Sequence, residues 1–175
     1  MTLPHIIRVI GVPRSGTAFA SMLLQLYPDC NAYHELAAYD KNWKKVICEN
    51  DADYVADCNT YGFLPEAFIP SSVNIFLNRD KWESRRSAEV ALGLRLDEHK
   101  FGELHSLANM WAIRHDAVIL DQGEIFTMEG MEKLWTAAFG EFIHFPHTKA
   151  AQLLRLNIQV NEPKKMVHVG RVFEV

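Results

Sequence analysis

Residues 6–26 read IIRVIGVPRSGTAFASMLLQL. Ile6 to Ile10 is a short, mostly apolar, β-branched run and reads as a strand. Gly11 to Thr17, GVPRSGT, is a glycine-bounded loop. Phe19, Met22, Leu23 and Leu26 then recur at helical spacing. Strand, tight loop and helix in that order gather backbone N–H groups at one place. The loop amides and the unpaired amides of the first helical turn favour a dianion there. A plain strand-to-helix turn needs its glycines for geometry alone. Pro13, Arg14, Ser15 and Thr17 add phosphate-directed chemistry that such a turn does not need.

Outward from this unit, short apolar runs alternate with amphipathic ones. Tyr27-Pro28-Asp29 reads as a helix stop and Asn31 to His34 as a short polar connection. Leu36, Tyr39, Trp43, Val46 and Ile47 fall on one helical face. Strands are expected at Tyr54 to Ala56, Val73 to Leu77 and, as a buried type, Ala117 to Leu120. Leu64 to Phe68 reads as a short helix closed by Pro70. Longer helices are expected from Trp82 to about Leu94, around Phe101 to Trp111, and around Met131 to Ala138. Ala150, Leu153, Leu154 and Ile158 suggest a last one. The tail from Pro163 to Val175 is ambiguous, with Met166 to Val169 a strand candidate. The alternation predicts an α/β fold with a mostly parallel sheet flanked by helices. Ligands in such sheets bind beyond the carboxyl ends of the strands. Arg14 and Arg79 follow two of those ends.

At 175 residues, 49% of them hydrophobic, a single domain over residues 1–175 with a real core is expected. The net charge of −4 argues against a nucleic-acid or membrane-surface partner, so any positive site is local. The three cysteines form no C-x-x-C pair, which suits a reducing compartment better than a disulfide framework. With no apolar leader and no run near the ~18–20 residues of a membrane span, a soluble cytoplasmic protein is the expectation. Oligomeric state is not readable from the sequence.

Gly11 and Gly16 have the spacing of a Walker A loop, GxxxxGK[ST], but Thr17 stands where the lysine belongs. A nucleoside-triphosphate hydrolase also needs an acidic residue for magnesium. Asp57 and Asp121 are the candidates, and neither follows a persuasive apolar run.

The loop GVPRSGT instead resembles the 5′-phosphosulfate loop of the sulfotransferase family, which carries Pro, Lys or Arg, then Ser-Gly-Thr. A second family signature is an Arg-Asp pair at a later strand end with a Ser on the following helix. The segment IFLNRDKWESRRS provides Arg79, Asp80 and Ser87 at matching spacing. The stretch from Asp57 through LPEAFIPSSVNIFLNRD is also similar, and ILDQGEIF at Ile119 to Phe126 is a faint echo of a later motif. The resemblance covers residues 6–87 well and the C-terminal half poorly.

It implies a P-loop nucleoside-triphosphate-hydrolase-like three-layer sandwich and transfer of a sulfuryl group from 3′-phosphoadenosine 5′-phosphosulfate, a co-substrate, without a metal. The acceptor would be a small molecule or glycan presenting a hydroxyl or amine. Pro13, Arg14, Ser15, Gly16 and Thr17 would bind the donor's 5′ end, with Arg14 also at the bridging oxygen. Arg79 and Ser87 would hold the 3′-phosphate. Family members use a Glu or His as general base, often a Glu shortly after the first helix. Glu35 is the first candidate here and His34 the second.

Each residue also has a plainer role open to it. Ser15 and Thr17 can be helix N-caps, Arg79 can pair with Asp80 or Glu83, and Glu35 can serve the next helix dipole. Trp82, Trp111 and Trp135 read chiefly as core, with stacking on adenine open to one of them. His99, His105, His115, His144 and His147 lack metal-ligand company.

The chain departs from the family at several points. Ala18 replaces a second Thr, Lys81 replaces a Pro, and Asp57-Cys58-Asn59-Thr60 replaces a Lys-Thr-Pro-like segment. A C-terminal glycine-rich loop has no visible counterpart. A magnesium-ATP phosphotransferase and a non-catalytic binding protein of the same fold therefore stand as alternatives.

Overall fold

In the computed structural model, residues 3–156 are described. Strand β1, His5–Gly11, is buried along all but its first residue, which is why it reads as a nearly unbroken apolar run. Side chains on a strand alternate faces, so Ile7 and Val9 point one way and Ile6, Arg8 and Ile10 the other. Strands β2 (Cys30–His34), β3 (Tyr54–Asn59), β4 (Val73–Asn78) and β5 (Val118–Asp121) join β1 in one sheet. The order is β2-β3-β1-β4-β5 and every pairing is parallel.

Helices cover both faces. Helices α1 (Thr17–Leu24), α6 (Met128–Phe139) and α7 (His147–Leu154) pack on the Ile7–Val9 face, around Leu23, Leu134 and Trp135. On the other face, α2 (Leu36–Tyr39) and α3 (Trp43–Cys48) pack over Ile6 and Val55, and α5 (Glu98–Arg114) over Ile10 and Phe76. Helix α4 (Lys81–Leu92) starts the β4–β5 crossover, capped by Asp80, whose carboxylate accepts from the amides of Trp82 and Glu83. Among the described residues no helix is long and apolar enough to cross a membrane.

Several expectations are corrected. Asn31 to His34 is an edge strand, not a polar connection, and it pairs with β3 alone. The face from Leu36 to Ile47 belongs to two helices, because the chain extends at Asp40. Leu36, Trp43 and Ile47 still reach one cluster, and Tyr39 is exposed. Leu64 to Phe68 contains only a 3-10 turn, Pro65–Ala67. The strand expected as buried, β5, is the other sheet edge, with Val118 44% and Ile119 57% exposed. Trp111 and Trp135 are core, whereas Trp82 is 49% exposed, with the Lys81 ammonium 4.3 Å from its ring centroid. The expectations at Ile158 and at Met166 to Val169 lie outside the described residues.

Strand β1 leads toward β2 at one edge, and its neighbour β4 leads toward β5 at the other. A crevice opens where neighbouring strands send their chains to opposite sides. The Gly11–Gly16 loop and Arg79 stand at that crevice.

Candidate functional site

The loop after β1 is shaped by two glycines and one strained arginine. A side chain at Gly11 would run into Ser15 Oγ. Gly16 takes φ 101°, where a β-carbon would also strike Ile125 at 2.5 Å. Arg14 takes φ 68°, and Glu35 takes φ 54°. They are two of only three described non-glycine residues with positive φ. Such strain persists only where surrounding structure imposes it, and it gathers at functional sites.

Helix α1 has no side-chain cap: Gly16 is its N-cap, and Thr17 is already helical. The N-cap roles open to Ser15 and Thr17 are thereby excluded. Ser15 is fully buried, and its hydroxyl has no partner among the described residues. A buried hydroxyl without a partner is costly, and this one sits beside the free amides of a helix start.

The second strand end folds onto this loop. Arg79 Nη1 donates to Arg14 O at 2.6 Å, Arg14 Nε donates to Ser87 Oγ at 3.4 Å, and Ser84 Oγ donates to Pro13 O. Ser84 and Ser87 lie three residues apart on one face of α4. Pro13, Arg14, Ser15, Gly16, Thr17, Arg79 and Ser87 therefore share one crevice. Arg79 does not pair with Asp80 or Glu83. Neither it nor Arg14 forms a salt bridge among the described residues. Arg85, by contrast, is neutralised by Glu89 and Glu98.

His34 and Glu35 reach the crevice from the β2 end. His34 Nε2 lies 3.2 Å from Thr17 Oγ1 and 3.7 Å from Glu35 Oε1. Glu35 Oε1 accepts from the Thr60 amide at 2.7 Å and from the Thr60 hydroxyl. Glu35 is the N-cap residue of α2 by position, yet its carboxylate caps nothing there and turns to Thr60 instead. Burial pushes the Glu35 carboxyl up, and the Thr60 hydrogen bonds pull it back. Burial holds His34 down to about 4, so its imidazole is neutral near pH 7 and resists taking up a proton while it stays buried.

The His34 shift sets a pH dependence. Between the ordinary value of 6.5 and about 4, the unfolded chain binds a proton that the folded state refuses. The stabilisation from neutral His34 is whole above the unfolded value. It is lost as pH falls toward 4, at up to about 1.4 kcal/mol per pH unit. Glu35, raised on folding, contributes in the opposite sense and loses stability as pH rises. His34→Asn is expected to flatten the fall in melting temperature between pH 6.5 and about pH 5. An unchanged slope would sink this account.

Several contributors escaped the sequence. Thr60 registered only as part of a departure from the family pattern, and Ser84 gave no signal beyond its spacing from Ser87. Ile125 and Phe126, in the faint late motif, face Gly16, and Phe126 packs on Phe19 with centroids 4.8 Å apart. Asp57 is fully buried beside Arg8, at 3.5 Å, and so is withdrawn from the crevice as a magnesium ligand. Asp121 accepts from Asn78 Nδ2 at 2.9 Å.

The fold and crevice define an α/β protein with a parallel sheet and a cationic cleft at the carboxyl ends of its strands. No protein-family model matches the chain, and neither does any curated protein or solved structure.

Proposed function

We propose that the protein is a sulfotransferase that moves a sulfuryl group from 3′-phosphoadenosine 5′-phosphosulfate to a hydroxyl or amine acceptor. What carries this reading is the meeting of Arg14 and Arg79, two cations without carboxylate partners among the described residues, in one crevice with Ser87 and the buried Ser15 hydroxyl. Two guanidinium groups at one crevice, neither bound to a carboxylate among the described residues, concentrate positive charge there, which suits a ligand with more than one anionic group.

The loop amides, Ser15 and Thr17 hold the 5′-phosphate, and Arg79 and Ser87 the 3′-phosphate. Arg14 stands at the oxygen between sulfur and phosphorus. The acceptor's oxygen or nitrogen attacks sulfur in line as the bond from sulfur to the 5′-phosphate oxygen breaks. Adenosine 3′,5′-bisphosphate leaves with the bonding electrons, and Arg14 and the amides stabilise the charge that collects on it. The acceptor proton passes to Glu35 or His34. The acceptor is a small molecule or a glycan.

A thermal-shift titration tests this. Adenosine 3′,5′-bisphosphate at a hundredfold excess over its Kd is expected to raise Tm by roughly 5–10 °C. A larger shift with ATP and magnesium would replace the reading with a phosphotransferase. No shift with either would leave a non-catalytic protein.

A further inference from the structure

Helix α5 touches the crevice through a histidine that the proposed chemistry does not use. His105 lies with Nε2 3.0 Å from Arg79 O and Nδ1 3.0 Å from Asn109 Nδ2. The direction of each bond follows from what the groups can do. Asn109 Nδ2 also donates to His105 O, one turn earlier, at 2.9 Å. Turning the amide over would set its oxygen against that carbonyl oxygen, so the NH2 group must face both atoms. Nδ1 therefore accepts, the ring proton sits on Nε2, and Nε2 donates to Arg79 O.

A directed chain thus runs Asn109 → His105 → Arg79 O, and Arg79 Nη1 continues it to Arg14 O at 2.6 Å. Arg79 lies between the end of β4 and Asp80, the N-cap of α4. It has no place in either backbone ladder, so its carbonyl needs a partner from elsewhere. His105 fixes that peptide plane, and the plane sets where the Arg79 side chain starts. Arg79 Nε is itself buried without a partner among the described residues. The guanidinium is thus held at Nη1 by Arg14 O and from behind through the backbone that His105 fixes.

We infer that His105, oriented by Asn109, is a positioning residue for Arg79 and sets the preference of this site for a nucleotide bearing a 3′-phosphate beside its 5′-phosphate. The inference rests on the assignment of Arg79 to the 3′-phosphate. His105 does not touch the nucleotide. It acts through the backbone of the residue that does.

The test is the ratio of affinities for adenosine 3′,5′-bisphosphate and adenosine 5′-phosphate, measured by calorimetry. The intact protein should favour the bisphosphate by about 10–100-fold, the scale of charge-assisted hydrogen bonds. His105→Ala should lower that ratio by about 5–10-fold, the scale of one lost hydrogen bond. Affinity for the 5′-phosphate should change less, which shows that the variant is folded. His105→Gln, whose amide reaches the place of Nε2, should restore the ratio, as a loss of packing alone would not allow. Bisphosphate preference in the intact protein that His105→Ala leaves whole would overturn the inference and spare the sulfotransferase reading. An intact protein with no preference would remove both.

Discussion

Arg79→Ala is expected to weaken binding of adenosine 3′,5′-bisphosphate by roughly 100-fold, near 3 kcal/mol, the size of two charge-assisted hydrogen bonds. The loss has two parts. On the proposed assignment the 3′-phosphate would lose its cation, and Arg14 O would lose its 2.6 Å donor, loosening the loop assigned to the 5′ end. Arg79→Lys should recover little. A lysine concentrates its donors on one nitrogen, whereas the planar arginine fork keeps Nη1 on Arg14 O and has other N–H groups left for phosphate. Arg14→Ala should also lose the donor, but through the 5′ end, so its penalty should persist with adenosine 5′-phosphate. Calorimetry on the three variants reads these differences directly. Wild-type affinity in both alanine variants would mean that the crevice is not the nucleotide site.

The convergence of Arg14 and Arg79 was legible because each follows a central strand. Strands β1 and β4 are covered by helices on both faces, so burial writes them as apolar runs, and their ends can be located. The two edge strands depart from their sequence pattern for a matching reason. Cys30–His34 carries Asn31 and His34 because only its first residue is fully buried, and a half-exposed strand need not be apolar. Val118 and Ile119 look like core but lie, among the described residues, at the sheet edge and are exposed. Apolarity reports composition, whereas burial is decided by what packs alongside.

The site divides in the same way. Glycine spacing and the Arg-Asp-to-Ser interval are local, so they survive in the sequence. The contacts from Thr60 to Glu35, Ser84 to Pro13 and His105 to Arg79 join residues 25, 71 and 26 positions apart. No periodicity encodes them. In the sequence His105 is one of several scattered histidines; only the packing of α5 against the end of β4 brings it to Arg79.

The Arg8–Asp57 pair carries the other large expected effect. The two residues are direct partners on β1 and β3. They lie between the apolar cluster around Ile6 and Val55 and the one around Ile10 and Trp111. Arg8 is 1% exposed, Asp57 is 0%, and the 3.5 Å between them is an ionic contact rather than a well-formed hydrogen bond. Burial pushes the Asp57 carboxyl up, and the neighbouring guanidinium pulls it back. Arg8 also donates to Gly62 O at 2.7 Å and Ala67 O at 2.9 Å, and it lies 5.6 Å from the Trp111 ring centroid.

Arg8→Met would strand the carboxylate and both carbonyls at once. It is expected to cost about 3–5 kcal/mol, or roughly 10 °C in Tm. Deprived of its cation, Asp57 should hold its proton above the unfolded carboxylate value. Stability of the variant should therefore be greatest below that value and decline as pH rises, a tilt weaker in the parent protein. Adding Asp57→Leu should remove the tilt and recover part of the loss. It should not recover all of it, since Gly62 O and Ala67 O stay unpaired. A single variant within about 1 kcal/mol of the parent would show the pair to be dispensable. The consequence reaches function through a short path. Arg8 anchors the loop at Gly62, two residues beyond Thr60, and Thr60 holds the Glu35 carboxylate. If Glu35 is the base, releasing that anchor should slow transfer more than it weakens nucleotide binding, because Arg79 and the Gly11–Gly16 loop are held from the other side of β1.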